Sequence, residues 1–170
     1  MSHQLDKYTK QPVKNFLDSI FHKINEIGID VSTYKLDHIC YRVSLDEDYM
    51  RFKKLLTTSA DLLSESEING RPICCFKLNE PIIYGNRKVD VFELPSPKLG
   101  SRYDEGYEHV EFVITDSLHD FVSKYPTLDF DKKGMKKIVN PDLRLQLGTI
   151  CVKFHEQAIE EVIEIEKNSL

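Results

Sequence analysis

The feature that most constrains this fold is a strand signature that occurs twice. Leu36-Asp37-His38-Ile39-Cys40-Tyr41 and Tyr107-Glu108-His109-Val110-Glu111-Phe112 align position for position as acidic residue, histidine, β-branched residue, variable residue and aromatic. Both copies alternate with period two, which predicts strands. Ile39, Tyr41 and Val43 share one face, with His38, Cys40 and Arg42 on the other; Val110, Phe112 and Ile114 oppose His109, Glu111 and Val113. Helical periodicity follows each copy, at Asp46 to Leu56 and at about Ser117 to Tyr125. Later strands close each half, and Val91-Phe92-Glu93-Leu94 aligns with Cys151-Val152-Lys153-Phe154. Two copies of one supersecondary unit are therefore expected, each needing a partner to cover its apolar face.

Between the signatures, Leu62 to Ile68, Pro72 to Leu78 and Lys88 to Leu94 read as strands. Asn69-Gly70 supplies the hairpin turn between the first two, because both residues tolerate positive φ. Strands are also expected at Leu143 to Leu147 and Thr149 to His155. Pro95-Ser96-Pro97 and the polar stretch to Gly106 separate the halves. Outside the repeat, Val13, Phe16, Leu17, Ile20, Phe21, Ile24 and Ile27 form one helical face over Pro12 to Ile27, with Gly28 suited to the cap. Gln157 to Lys167 reads as a closing helix.

Composition excludes several classes. A net charge of −5 argues against non-specific nucleic-acid binding, which needs a concentrated basic face. The basic run Lys132, Lys133, Lys136, Lys137 reads as a solvated loop. No apolar run approaches the ~20 residues that span a bilayer. The polar start, Met1 to Gln11, leads to the expectation of a cytoplasmic protein in which Cys40, Cys74, Cys75 and Cys151 are reduced thiols.

The chemistry sits on the polar strand faces. His38, Cys40, Arg42, His109, Glu111, Lys153 and His155 are too polar for a dry core unless they are paired or hold an ion. A pseudo-twofold between the halves brings His38 and His109 to one concave surface. With the strand-end carboxylate of Glu93 they make a ligand set for Zn, Mn, Fe, Ni or Co.

The order of strand histidine, strand-end glutamate and second-half histidine resembles the vicinal oxygen chelate superfamily, and within it the YecM family. The resemblance rests on Asp37-His38-Ile39, Ile68-Asn69-Gly70-Arg71-Pro72-Ile73-Cys74, Phe76-Lys77-Leu78 and Glu93-Leu94-Pro95. It continues through Gly106-Tyr107-Glu108-His109-Val110-Glu111, Asn140-Pro141, Val152-Lys153-Phe154-His155 and Ile159-Glu160-Glu161-Val162. It implies an α+β fold of two βαβββ-type modules forming a half-barrel cleft, with added N- and C-terminal helices. The expected divisions are 1–33 (N-terminal helical extension), 34–98 (first module) and 99–170 (second module with the closing helix), all in one structural domain. It also implies a divalent metal (Zn, Mn, Ni or Fe(II)) on His38, Glu93 and His109.

The superfamily repeats a glutamate at the end of the second module, where this chain has Lys153. His155, about 7 Å along the strand, is the alternative fourth metal ligand if the strand end bends. Glu111 is the expected general base, a replacement ligand, or a partner for Arg42 or Lys153. Arg42, Arg144 and Lys153 are the candidate substrate-binding residues. The functional expectation is a metal-dependent isomerase, lyase or dioxygenase acting on a small oxygen-chelating molecule. The alternative is a non-catalytic small-molecule (anion) binder on the same fold. Neither reading involves nucleic acid or membrane, and either suits a monomer or a homodimer.

Overall fold

The structure is a computed structural model that describes residues 3–100 and 102–168. In chain order the elements are α1 (His3–Thr9), α2 (Gln11–Glu26), β1 (Lys35–Arg42), α3 (Asp46–Leu56), β2 (Ala60–Ile68), β3 (Arg71–Tyr84) and β4 (Arg87–Pro95). They continue with β5 (Gly106–Val113), α4 (Leu118–Lys124), a 3₁₀ turn (Lys133–Lys136), β6 (Asp142–Leu147), β7 (Ile150–His155) and α5 (Ile159–Asn168). Internal contacts divide the chain into two units, the first holding residues up to Leu17 with His38–Glu108, the second Asp18–Asp37 with His109 onward.

The first unit orders its strands β2-β3-β4-β1, a β-α-β-β-β module with α3 as its helix. β1 and β4 are parallel, with His38 opposite Val91 and Cys40 opposite Glu93. The remaining pairs are antiparallel. Asn69 and Gly70 take φ of 54° and 75°, the left-handed pair that a tight hairpin requires. β3 is longer than the sequence suggests, running through Pro81 to Tyr84. The ladder is irregular between Lys77 and Ile82, so the missing amide of Pro81 falls where the pairing is already broken. One face of this unit stacks aromatics: Phe52 lies 5.0 Å from Tyr41 and 5.7 Å from Phe92, and Tyr107 lies 5.1 Å from both Tyr41 and Phe16.

The second unit orders its strands β5-β7-β6. β5 and β7 are parallel, with His109 opposite Cys151 and Glu111 opposite Lys153. That register reproduces the first unit's and fixes the equivalences: His109 stands for His38, Glu111 for Cys40, and Lys153 for Glu93. Where the first module pairs β2 with β3, this unit has a single bridge, Asp131 to Arg144. Between the bridge and β6 the chain turns through the 3₁₀ segment instead of extending. Phe121 packs at 4.5 Å from Phe154 and 5.9 Å from Phe130, filling the apolar side.

Helix ends follow local chemistry. Gly28 at φ 76° closes α2 with Ile29 N–H donating to Ile24 O and Gly28 N–H to Asn25 O, the paired bonds of a Schellman cap. Ser117 caps α4 by accepting from Asp120 N at 3.1 Å. No described helix is long and apolar enough to cross a membrane.

One charged cluster sets a pH dependence. Asp90 lies 3.1 Å from Lys77 Nζ and 2.9 Å from Lys88 Nζ. Burial pushes its carboxyl pKa up, but the two ammonium hydrogen bonds outweigh that and hold it below the ordinary carboxylate range. The carboxylate is thus stabilised in the folded state. Its contribution is complete above the unfolded pKa of about 3.9 and is lost as pH falls through the lower folded-state value. Asp90→Asn should flatten the fall in unfolding free energy below about pH 4, measured by urea melts from neutral pH downward. An unchanged acid limb would contradict this assignment.

Candidate functional site

β1 and β4 hold the first unit's half of the chemistry. Because His38 pairs with Val91 and Cys40 with Glu93, the imidazole and carboxylate rise from neighbouring strands on the same face. His38 Nε2 lies 3.9 Å from Glu93 Oε2, with side chains 1% and 15% exposed. Two donors bound at ~2.1 Å to one ion stand roughly 3–4 Å apart. The pair therefore falls at the wide end of that range. Arg42, farther along β1, is engaged elsewhere: its Nη1 lies 3.5 Å from Glu108 Oε1 and its guanidinium stacks 4.1 Å over the Tyr103 ring.

β5 and β7 hold the second unit's half. His109 Nε2 lies 3.1 Å from Glu111 Oε1, again a spacing that one ion could span. Lys153 Nζ approaches the same two atoms, donating to Glu111 Oε1 at 2.6 Å and lying 3.1 Å from His109 Nε2. In this half the ammonium stands where a cation would bind. It compensates the charge of Glu111, whose side chain is 6% exposed. Of the two ion-pair partners expected for Glu111, Lys153 is the one that contacts it.

His155 belongs to a separate row of the same face. Its Nδ1 lies 3.3 Å from Asn140 Oδ1, and its Nε2 lies 3.5 Å from Asp37 Oδ2 and 3.9 Å from Glu111 Oε2. Asn140 holds φ at 47°, a conformation asparagine tolerates. Arg144 is opposite Lys153 in the ladder but extends to Gln146 at 2.9 Å and borders a surface depression with Asp129, Phe130 and Asp131.

Asp37 is the residue whose part the sequence concealed. Fully buried, it accepts from Ile159 N at 2.9 Å, capping α5, and pairs with Lys35 Nζ at 2.9 Å as well as facing His155. Its acidic position in the repeated signature was the available signal. Its partner Ile159, 122 residues away, could not be read from spacing.

A family model described as YecM protein matches residues 6–166. Protein YecM of Escherichia coli K12 is 29% identical over 178 aligned residues, covering 94% of this chain and 95% of its own length. An uncharacterized protein of Haemophilus influenzae is 27% identical, covering 90% of this chain and 91% of its own length. Among solved structures, the structural-genomics protein EC4020 superposes with a TM-score of 0.81 at 27% identity, over 96% of this chain and 93% of that one. A hypothetical protein of Bacillus halodurans C-125 superposes with a TM-score of 0.51 at 18% identity, over 74% of this chain and 96% of that one, a likeness of fold alone.

Proposed function

The chain belongs to the YecM family, and on that footing we propose that it binds one divalent cation (Zn, Mn, Ni or Fe(II)) through His38, Glu93 and His109 and offers it to a small oxygen-bearing molecule, in the manner of vicinal oxygen chelate proteins. The observation that carries this reading is the register equivalence of His38 and His109. Both are buried, and both lie on the first strand of a parallel pair at the same ladder position. Histidines with a purely local role have no reason to repeat at equivalent positions.

In this reading Glu111 is the fourth protein donor. The carboxylate that the first unit carries on its closing strand, at Glu93, has moved in the second to the opening strand, opposite Lys153. His155 then positions Glu111 from the side of Oε2, with its own ring held by Asn140. A bound ion would supply Lewis-acid polarisation of two neighbouring ligand oxygens. Lys153, released from Glu111, steadies an anionic oxygen of the ligand; where Glu111 stays off the ion, it serves instead as the general base of an isomerase, lyase or dioxygenase reaction.

A second reading has its own support in Lys153. An ammonium 2.6 Å from Glu111 and 3.1 Å from His109 is also the anchor expected of a metal-free anion-binding protein. Elemental analysis after equilibration with each of the four metals separates the two. The metal reading predicts close to one equivalent in the wild type, lost in His38→Ala and in His109→Ala but retained in a control variant of the exposed His22. A wild type that takes up no metal would leave the anion-binding reading, with small dicarboxylates raising Tm only while Lys153 is present.

A further inference from the structure

We infer that the segment Phe130–Lys136 of the second unit is a phosphate-recognition pocket, separate from the histidine strands. The place in the fold is the first argument. Where the first module runs a full strand beside β3, the second reduces the equivalent pairing to the Asp131–Arg144 bridge and replaces extended chain with the 3₁₀ turn Lys133–Lys136. The counterpart of a whole strand is missing here.

The second argument is that the turn is pinned. Asp131 exchanges both backbone hydrogen bonds with Arg144, at 2.8 and 3.1 Å. Lys133 N donates to Asp131 Oδ1 at 3.0 Å, and Lys137 forms an ion pair with Asp142 at the start of β6. Gly134 packs so closely that a Cβ would meet the Asp142 carbonyl oxygen at 2.5 Å. A merely solvated loop has no need of that approach. The turn is held against β6 so that its outer side keeps one shape.

The third argument is what that side presents. Lys132, Lys133 and Lys136 line a pocket of about 340 Å³ over Phe130 and Asp131. That volume lies at the small end of the usual ligand range of roughly 300–1,000 Å³, enough for a phosphate or pyrophosphate group. Asp131 is the one carboxylate in the lining; it already accepts from Lys133 N and lies 3.9 Å from Lys133 Nζ, so the lysines keep a positive excess. Four lysines in the six residues 132–137, on a chain of net charge −5, make this a local basic site against an acidic background. Phosphate suits several exposed lysines better than carboxylate does, because it offers more acceptor oxygens and a higher charge.

The phosphate group could come from a soluble molecule or from a lipid headgroup, since Ile138, fully exposed, stands two residues beyond Lys136. The test is an amide NMR titration of the full chain with sodium pyrophosphate at physiological ionic strength. Phosphatidic acid vesicles in a phosphatidylcholine background form a parallel arm. Saturable shifts confined to residues around 130–137, weakened at least tenfold in K132A/K133A/K136A, are expected. Vesicle binding that also needs Ile138 (lost in I138S) assigns the source to lipid; pyrophosphate binding without vesicle binding assigns it to a soluble molecule. The triple variant changes only exposed side chains, and an unchanged Tm verifies its fold. Shifts spread over lysines throughout the chain, no saturation in either arm, or binding that survives the triple variant would overturn the proposal.

Discussion

Asp37→Ala should be the most destabilising single substitution of a polar residue in this protein, lowering the unfolding free energy by about 3–5 kcal/mol. The carboxylate is completely buried and serves three partners: the first amide of α5, Lys35 and the His155 imidazole. Alanine leaves the amide and the imidazole buried beside a small cavity, and the penalty is that of stranded polar groups rather than of one lost bond. For a chain of this length each kcal/mol shifts Tm by about 2–4 °C, so a drop of roughly 6–20 °C is expected in a thermal melt. Asp37→Asn keeps an acceptor for Ile159 but loses the charge and turns an NH2 donor toward Lys35; it should recover about half of the loss. Equal melting of the alanine variant and the wild type would show that α5 does not depend on this cap.

Lys153→Met should act almost as strongly, and in a way that metal reverses. Lys153 is the countercharge for Glu111, and removing one partner of this part-buried ion pair costs about 3 kcal/mol, the low end of the range for buried pairs. Methionine keeps the length and the apolar stem, so the loss reports the ammonium itself. The same substitution clears the position that competes with a cation beside His109 and Glu111. The variant should therefore be unstable without metal and bind Mn or Zn more tightly than the wild type. At a metal concentration of ~1,000 Kd, binding returns about 4 kcal/mol, enough to offset the whole deficit. Urea melts with and without metal measure both halves of the prediction. Undiminished stability in metal-free buffer would mean that Glu111 is neutral or otherwise compensated.

Much of the fold was legible because the repeat and the local periodicities agree. α3 occupies the residues its apolar spacing predicts, and the Asn69-Gly70 turn has the backbone its composition demands. The aligned strands pair in the register that alignment implies, down to Lys153 in the place of Glu93. What escaped the sequence had identifiable causes. The extension of β3 to Tyr84 was hidden by Pro81, which argues against a strand unless the ladder is already broken there. α1 is seven residues long, too short for periodicity to announce, and its Leu5 is nonetheless fully buried. The lysines at 132–137 are exposed, as their charge suggests; what the sequence did not reveal is the packing of Gly134 on Asp142 that holds their backbone in place.

The candidate site divides along the same line. His38 with Glu93, and Glu111 with Lys153, could be anticipated from strand alternation and register. The part of Asp37 could not, because a helix cap from a strand so distant in sequence leaves no local pattern. Arg42 and Arg144 were expected to bind substrate; the stacking of Arg42 on Tyr103 and the bond of Arg144 to Gln146 along β6 are contacts that strand alternation does not reveal.

Whether the two histidines share one ion can be read from a metal-binding cycle. Affinity and stoichiometry for Mn would be measured by calorimetry on the wild type, His38→Ala, His109→Ala and the double variant. A shared centre predicts one equivalent for the wild type, a large and similar loss of affinity in each single variant, and little further loss in the double. Two equivalents in the wild type with one retained in each single variant, or no binding at all, would contradict it.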